Sequence, residues 1–158
     1  MSAPRVRALE ASDADLARAV FRTQLCDTPY CARVLEQLDI ALSGQDPEYA
    51  GLVATHGVAS EAVLGVLLSG PVSGARGVVK VHALVGADAE TLGVLLDAVL
   101  AAHAREGGTV PMTVCEMADD LTHACAASAL VGRGFAREGR VADYFRDGIA
   151  LDILVRRS

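Results

Sequence analysis

Apolar residues recur along the chain with two periods, and the switches between them mark its elements. The run Val-Arg-Ala-Leu-Glu at 5–9 predicts a short strand. Ser12 then suits a helix cap with Asp15 three residues on, and Leu16, Ala19 and Val20 supply an apolar stripe ending near Leu25. Asp27-Thr28-Pro29 restarts the chain, Cys31, Val34, Leu35, Leu38 and Leu42 follow at helical spacing, and Gly44 is placed to end the helix. From 49 the period falls to two. Strands are expected over 49–55 and 62–68, joined by a His56-Gly57 turn, with Gly65 marking a bulge. The stretch 70–77 is a loop by composition. The next strand, 78–85, places Val79, Val81, Ala83 and Val85 on one side and is apolar enough on both to be central. Asp88 caps the most regular helix, whose face is Leu92, Leu95, Leu96 and Val99 and whose end is Gly107-Gly108. A strand over 109–116, a helix opened by Asp119-Asp120 and running to about Gly132, and strands over 135–141 and 148–155 complete the order β-α-α-β-β-β-α-β-α-β-β. Such an order predicts an α/β (α+β) domain with a mixed sheet and helices on both faces.

Composition narrows the classes. The 158 residues are 52% hydrophobic and 22% charged, which suits one domain with a sizeable core. The formal net charge of −6 argues against nucleic acid as a partner and favours cationic or amine substrates. No apolar run reaches the ~20 residues of a membrane helix. The first residues carry charge by Arg5 and show no signal-peptide core, so a cytoplasmic setting is expected. Cys26, Cys31, Cys115 and Cys125 are too few and scattered for a disulfide scaffold, and their spacing with His123 matches no zinc ribbon or finger. Reduced, buried thiols are expected; a metal- or thiol-dependent sensor is the remote alternative.

Three segments resemble the GNAT superfamily of acyl-CoA-dependent N-acyltransferases. Leu130-Val131-Gly132-Arg133-Gly134-Phe135 is similar to its Gly-Phe junction between fourth helix and sixth strand. The segment 141–148, Val-Ala-Asp-Tyr-Phe-Arg-Asp-Gly, with the apolar run 150–155 before Arg156-Arg157, looks like its closing hairpin. The strand pair over 49–68, with Gly65 on the second, looks like its second and third strands. The resemblance implies a mostly antiparallel sheet of six or seven strands in a single domain over 1–158. It also implies acetyl-CoA or another acyl-CoA as cofactor, an amine of a small molecule or peptide as acceptor, and leaves a homodimer open. The cofactor would lie along Leu84, Val85 and Gly86 and at the helix start marked by Thr91, Leu92 and Gly93.

The chain departs from the family's pattern at that helix start. The family places a basic residue and glycines between strand and helix, where backbone N–H groups and the helix dipole hold a pyrophosphate. Here the connection is shorter by roughly four residues. It lacks the cation, keeps only Gly93, and brings Asp88 and Glu90. The usual pyrophosphate cradle is therefore not expected. Leu130 stands where many members carry a tyrosine acid, the strand 78–85 has no carboxylate base, and His123 lies near the place of a common asparagine.

Three residues remain as catalytic candidates. His82 lies on the central strand and titrates near neutrality, or is a satisfied histidine lining the sheet. Glu116 ends a strand beside the presumed cleft, as a base or as a solvated carboxylate. Tyr144 in the closing hairpin reaches the substrate or packs between the last strands. His123 and Cys125 form a reactive pair, or a surface His beside a buried Cys. Two functions stay open: an acyl-CoA-dependent N-acyltransferase, and a non-catalytic module of the same fold that binds another ligand or a protein.

Overall fold

The structure is a computed structural model and describes residues 3–25, 28, 30–56, 62–105 and 112–157. Its elements are β1 (Arg5–Ala8), α1 (Ala14–Leu25), α2 (Cys31–Ser43), β2 (Ala50–Thr55), β3 (Val63–Val72), β4 (Ala75–Gly86), α3 (Ala89–Arg105), β5 (Met112–Ala118), α4 (Ala124–Val131), β6 (Ala136–Arg146) and β7 (Ile149–Arg157). The order is the one expected. The sequence features at Cys26, Asp27, Pro29, Gly57, Gly107-Gly108 and 109–111 lie outside the described residues.

Seven strands form one sheet in the order β1-β2-β3-β4-β5-β7-β6. Every neighbouring pair is antiparallel except β4 with β5. The α3 helix crosses between these two parallel strands, as parallel pairing requires. Leu92, Leu95, Leu96 and Val99 of α3 are buried on one face of the sheet with Leu67, Val81, Leu84, Leu130 and Phe135. The other face holds α1 and α2 through Ala17, Phe21, Leu25, Val34 and Leu38, packed on Val53, Val66, Leu68, Ala83 and Val85. Gly44 ends α2 with φ 62°, a left-handed backbone that glycine adopts without steric cost.

Several local expectations change. Ser12 does not cap α1. A 3-10 turn, Ala11–Asp13, precedes it, and the Asp13 carboxylate accepts the N–H of Glu10 at 2.9 Å and both guanidinium arms of Arg7 at 2.6 and 2.7 Å. The turn rotates the helix so that Ala17, Phe21 and Leu25 face the core, while Leu16 is 42% exposed. The stretch 70–77 is not a loop. Val72 pairs with Ala75 across a two-residue turn, Ser73-Gly74, and Gly74 takes φ 78°. The strand pairing extends the sheet where composition alone reads as turn.

The third change decides the site. Leu68 pairs with Ala83 but Ser69 with Val81, so His82 is the extra residue of a β-bulge. The bulge breaks the alternation of β4. Val81 and Leu84 face α3, and Ala83 and Val85 face α1 and α2, so Val81 is separated from Ala83 and Val85, which were expected on its side. A second bulge sits beside Gly65, as expected, where Ala54 pairs with Gly65 and Thr55 with Val63. Finally, α4 begins at Ala124 rather than Asp119, because Asp120 folds back to accept the N–H of His123 at 2.9 Å.

Candidate functional site

β4 and β5 pair only from Val78–Met112 to Val81–Cys115. Beyond this, β4 stays with β3 as far as Gly86, and β5 stays with β7 as far as Ala118. The two central strands therefore part at the His82 bulge. From 82 to 86, β4 has no partner strand on its β5 side among the described residues, which leaves that edge for another bonding partner. A cavity lies in the gap, lined by Ala83, Leu84 and Val85 of β4, Cys115, Glu116 and Met117 of β5, and Tyr30, His82 and His123. A second, narrow pocket adjoins it toward α2, lined by Tyr30, Arg33, Val34, Gln37, Lys80, His82 and Glu116.

His82 and Glu116 are thus brought together at one opening. The His82 ring stacks on Tyr49, with centroids 5.4 Å apart and planes at 15°. A side chain at Gly70 would collide with Tyr49, so this glycine makes room for the stack. Burial, then the cations of Lys80 and Arg33, lower the His82 pKa to about 4, so the ring is neutral at pH 7. Its Nε2 is enclosed without a hydrogen-bond partner among the described residues. Glu116 accepts from Lys80 Nζ at 2.5 Å, an ion pair bridging the two strands where they begin to part.

Tyr144 does not line the cavity. It is 57% exposed and lies at the outer end of a series of rings. Tyr144 meets Phe145 at 4.8 Å, Phe145 meets Tyr30 at 4.8 Å, and Tyr30 meets His123 at 5.8 Å. The β6 strand leaves its register between Val141 and Arg146, and Asp143 takes φ 51° with its carboxylate on the N–H of Gly148 at 2.7 Å. This irregularity carries Phe145 over Tyr30.

His123 and Cys125 exchange the environments expected of them. His123 is buried and Cys125 exposed, because the late start of α4 turns position 123 inward. His123 Nδ1 lies 2.7 Å from Asp120 Oδ1. A carboxylate only accepts, so Nδ1 is the donor in this bond. Cys115 is no nucleophile, since burial pushes its thiol up to about 12.

Among the residues expected at a cofactor, Leu84, Val85 and Gly86 lie on the free edge of β4, which suits an extended chain carrying amides, such as the pantetheine arm of an acyl-CoA. The start of α3 suits a pyrophosphate poorly. The Asp88 carboxylate accepts the N–H of Thr91 at 2.8 Å, and its backbone carbonyl accepts that of Leu92 at 3.1 Å. The bond from Thr91 holds Asp88 below the usual carboxylate range, so it stays charged. The Thr91 and Leu92 side chains are in the core. Gly93 faces away from the gap, where a Cβ would lie 2.5 Å from Nη2 of Arg133, the residue paired with Asp97.

Residue spacing did not single out Tyr30, Arg33, Gln37, Lys80 or Asp120. Arg33 and Gln37 are four apart on α2, one visible sign of a shared helix side. The Asp120–His123 spacing is another.

No protein-family model matches the chain, and no curated protein matches it. Solved structures do. A putative acetyltransferase of the GNAT family from Desulfovibrio desulfuricans superposes with a TM-score of 0.79 at 22% identity, over 98% of this chain and 99% of that one. A ribosomal-protein-alanine N-acetyltransferase from Brucella melitensis gives 0.75 at 13%, over 98% and 99%. The aminoglycoside 6'-N-acetyltransferase from Enterococcus faecium gives 0.72 at 11%, over 97% and 96%. The chain has the fold these proteins share.

Proposed function

We propose that this chain, built on the GNAT fold, is an acyl-CoA-dependent N-acyltransferase acting on an amine of a small molecule or peptide. The observation that carries the reading is the parting of β4 and β5 at His82, which leaves a free strand edge beside a cavity holding two histidines and a carboxylate. Bound acyl-CoA supplies the activated acyl group. The free N–H groups of 83–86 hold its amides and polarise the reacting carbonyl. The acceptor enters from the α2 side, where His82 hydrogen-bonds the amine. His123, oriented through Nδ1 by Asp120 and lining the cavity, accepts the amine proton. Glu116, tied to Lys80, shapes the opening between the strands. Tyr144 contributes through Phe145 and Tyr30 by holding the wall of the cavity. The acidic start of α3 makes cofactor affinity weak, or seats the phosphates away from α3.

Melting the chain with acetyl-CoA and with CoA tests the reading. A ligand at 100 times its Kd adds ~2.7 kcal/mol of stability. A shift with acetyl-CoA and thiol release on adding amines are the expected results. No shift at millimolar acetyl-CoA excludes the enzyme and leaves the non-catalytic module, which Leu130 in the core and the acidic α3 start favour.

A further inference from the structure

We infer that the narrow pocket between α2 and β4 is the acceptor subsite and that it takes a small amine carrying a carboxylate, of the amino-acid type. This rests on the acyltransferase reading for the word acceptor, but the ligand class stands on the pocket alone. Tyr30 Oη, Gln37 Oε1 and His82 Nε2 are enclosed side-chain atoms with no hydrogen-bond partner among the described residues, and all three residues line this one pocket. Enclosed polar atoms are normally paired, so three orphans at one place mark where a ligand completes the bonding. The phenol needs an acceptor and the amide oxygen needs a donor, while the neutral imidazole takes either role by tautomer.

Charge selects the ligand further. The lining carries Arg33 and Lys80 against Glu116 alone, with His82 neutral, so it is net positive inside a chain of net charge −6. Glu116 is engaged by Lys80, which leaves the Arg33 guanidinium for an anion. A carboxylate meets Arg33 and the phenol, and the amine N–H groups of the same molecule meet Gln37 and His82. The amine then sits on the His82 side, next to the gap between β4 and β5. A polycation finds a net like charge there. The whole-chain charge points to cationic substrates; the lining of the site points to zwitterions.

The test uses the full chain with acetyl-CoA and four acceptors: glycine, alanine, alanine methyl ester and spermidine. Alanine is expected to exceed its ester at least tenfold in kcat/KM, and Arg33→Ala is expected to bring the two within about twofold, mainly by raising KM for alanine. Arg33 is exposed on α2, so this variant keeps the fold. Gln37→Leu serves as a second variant and should weaken alanine and the ester alike. Equal or faster transfer to the ester or to spermidine overturns the proposal and leaves the acyltransferase reading in place. A melting shift with alanine that Arg33→Ala abolishes, without any response to acetyl-CoA, upholds the ligand class and overturns the acyltransferase reading. An unchanged alanine-to-ester ratio in Arg33→Ala overturns the proposal outright.

Discussion

A single extra residue, His82, parts the central strands, and its protonation state follows from where the bulge leaves it. Its folded pKa of about 4 lies below the ordinary 6.5, so the unfolded chain takes up this proton first as pH falls. The stability linked to neutral His82 is complete above pH 6.5 and is lost between 6.5 and 4. The partly exposed ring limits the loss to no more than about 3 kcal/mol. Urea unfolding at pH 4.5 and pH 7.5 measures it. His82→Gln should flatten that difference, and an unchanged pH dependence would show that other groups carry it. At His123, replacement by Gln keeps a polar side chain but removes the proposed base. A fall in kcat of about 10²–10⁴-fold, with KM little changed, is expected in a transfer assay. Asp120→Asn, which loses the charge that holds the tautomer, should fall in the same direction.

Among the elements, α3 was legible in advance because its apolar face is continuous, and Leu92, Leu95, Leu96 and Val99 are all buried. Leu96→Ala should cost ~2–5 kcal/mol by urea denaturation, and a loss under half a kcal/mol would show that another face is buried. Gly65 on β3 lies under the start of the same helix. A Cβ there would stand 2.7 Å from the Val85 carbonyl oxygen and 2.7 Å from Cγ2 of Thr91. Gly65→Ala should therefore destabilise by about 1–3 kcal/mol, since the backbone oxygen cannot turn aside. The first turn of α3 bears on the cofactor. Asp88→Asn with Glu90→Gln removes two negative charges beside the expected phosphate position, and calorimetry should show tighter acetyl-CoA binding. Tight binding in the unmodified chain that the double change leaves untouched would refute the argument from charge.

At the scale of the molecule, one sheet with a parallel pair at its centre divides the core in two. One half is held by α3 and α4, the other by α1 and α2. The site opens where that parallel pair ends. Amide exchange should reveal this, with the gap-facing amides of 83–86 exchanging faster than the paired ones of 79–81. Acyl-CoA should slow the former and leave the latter unchanged. Equal protection in both segments without ligand would mean that the strands do not part in solution.

The sequence by itself determined the elements, their order and the buried face of α3, because these follow from local periodicity and capping over one segment at a time. It also placed two carboxylates, Asp88 and Glu90, at the start of α3, where their charge acts within a single turn. Position 82 was legible as chemistry but not as geometry. A bulge is a property of two strands, and only the pairing of Leu68 with Ala83 and Ser69 with Val81 reveals which residue is extra. The same limit hid the pocket. Arg33 and Gln37 share a helix side by spacing, but only the sheet brings Lys80 and Glu116 into one pocket with them. Asp120 read as a helix opener until it folded back on His123. Pattern records which side chains avoid water, whereas a site depends on residues far apart in the chain, and only tertiary packing decides which polar groups meet there.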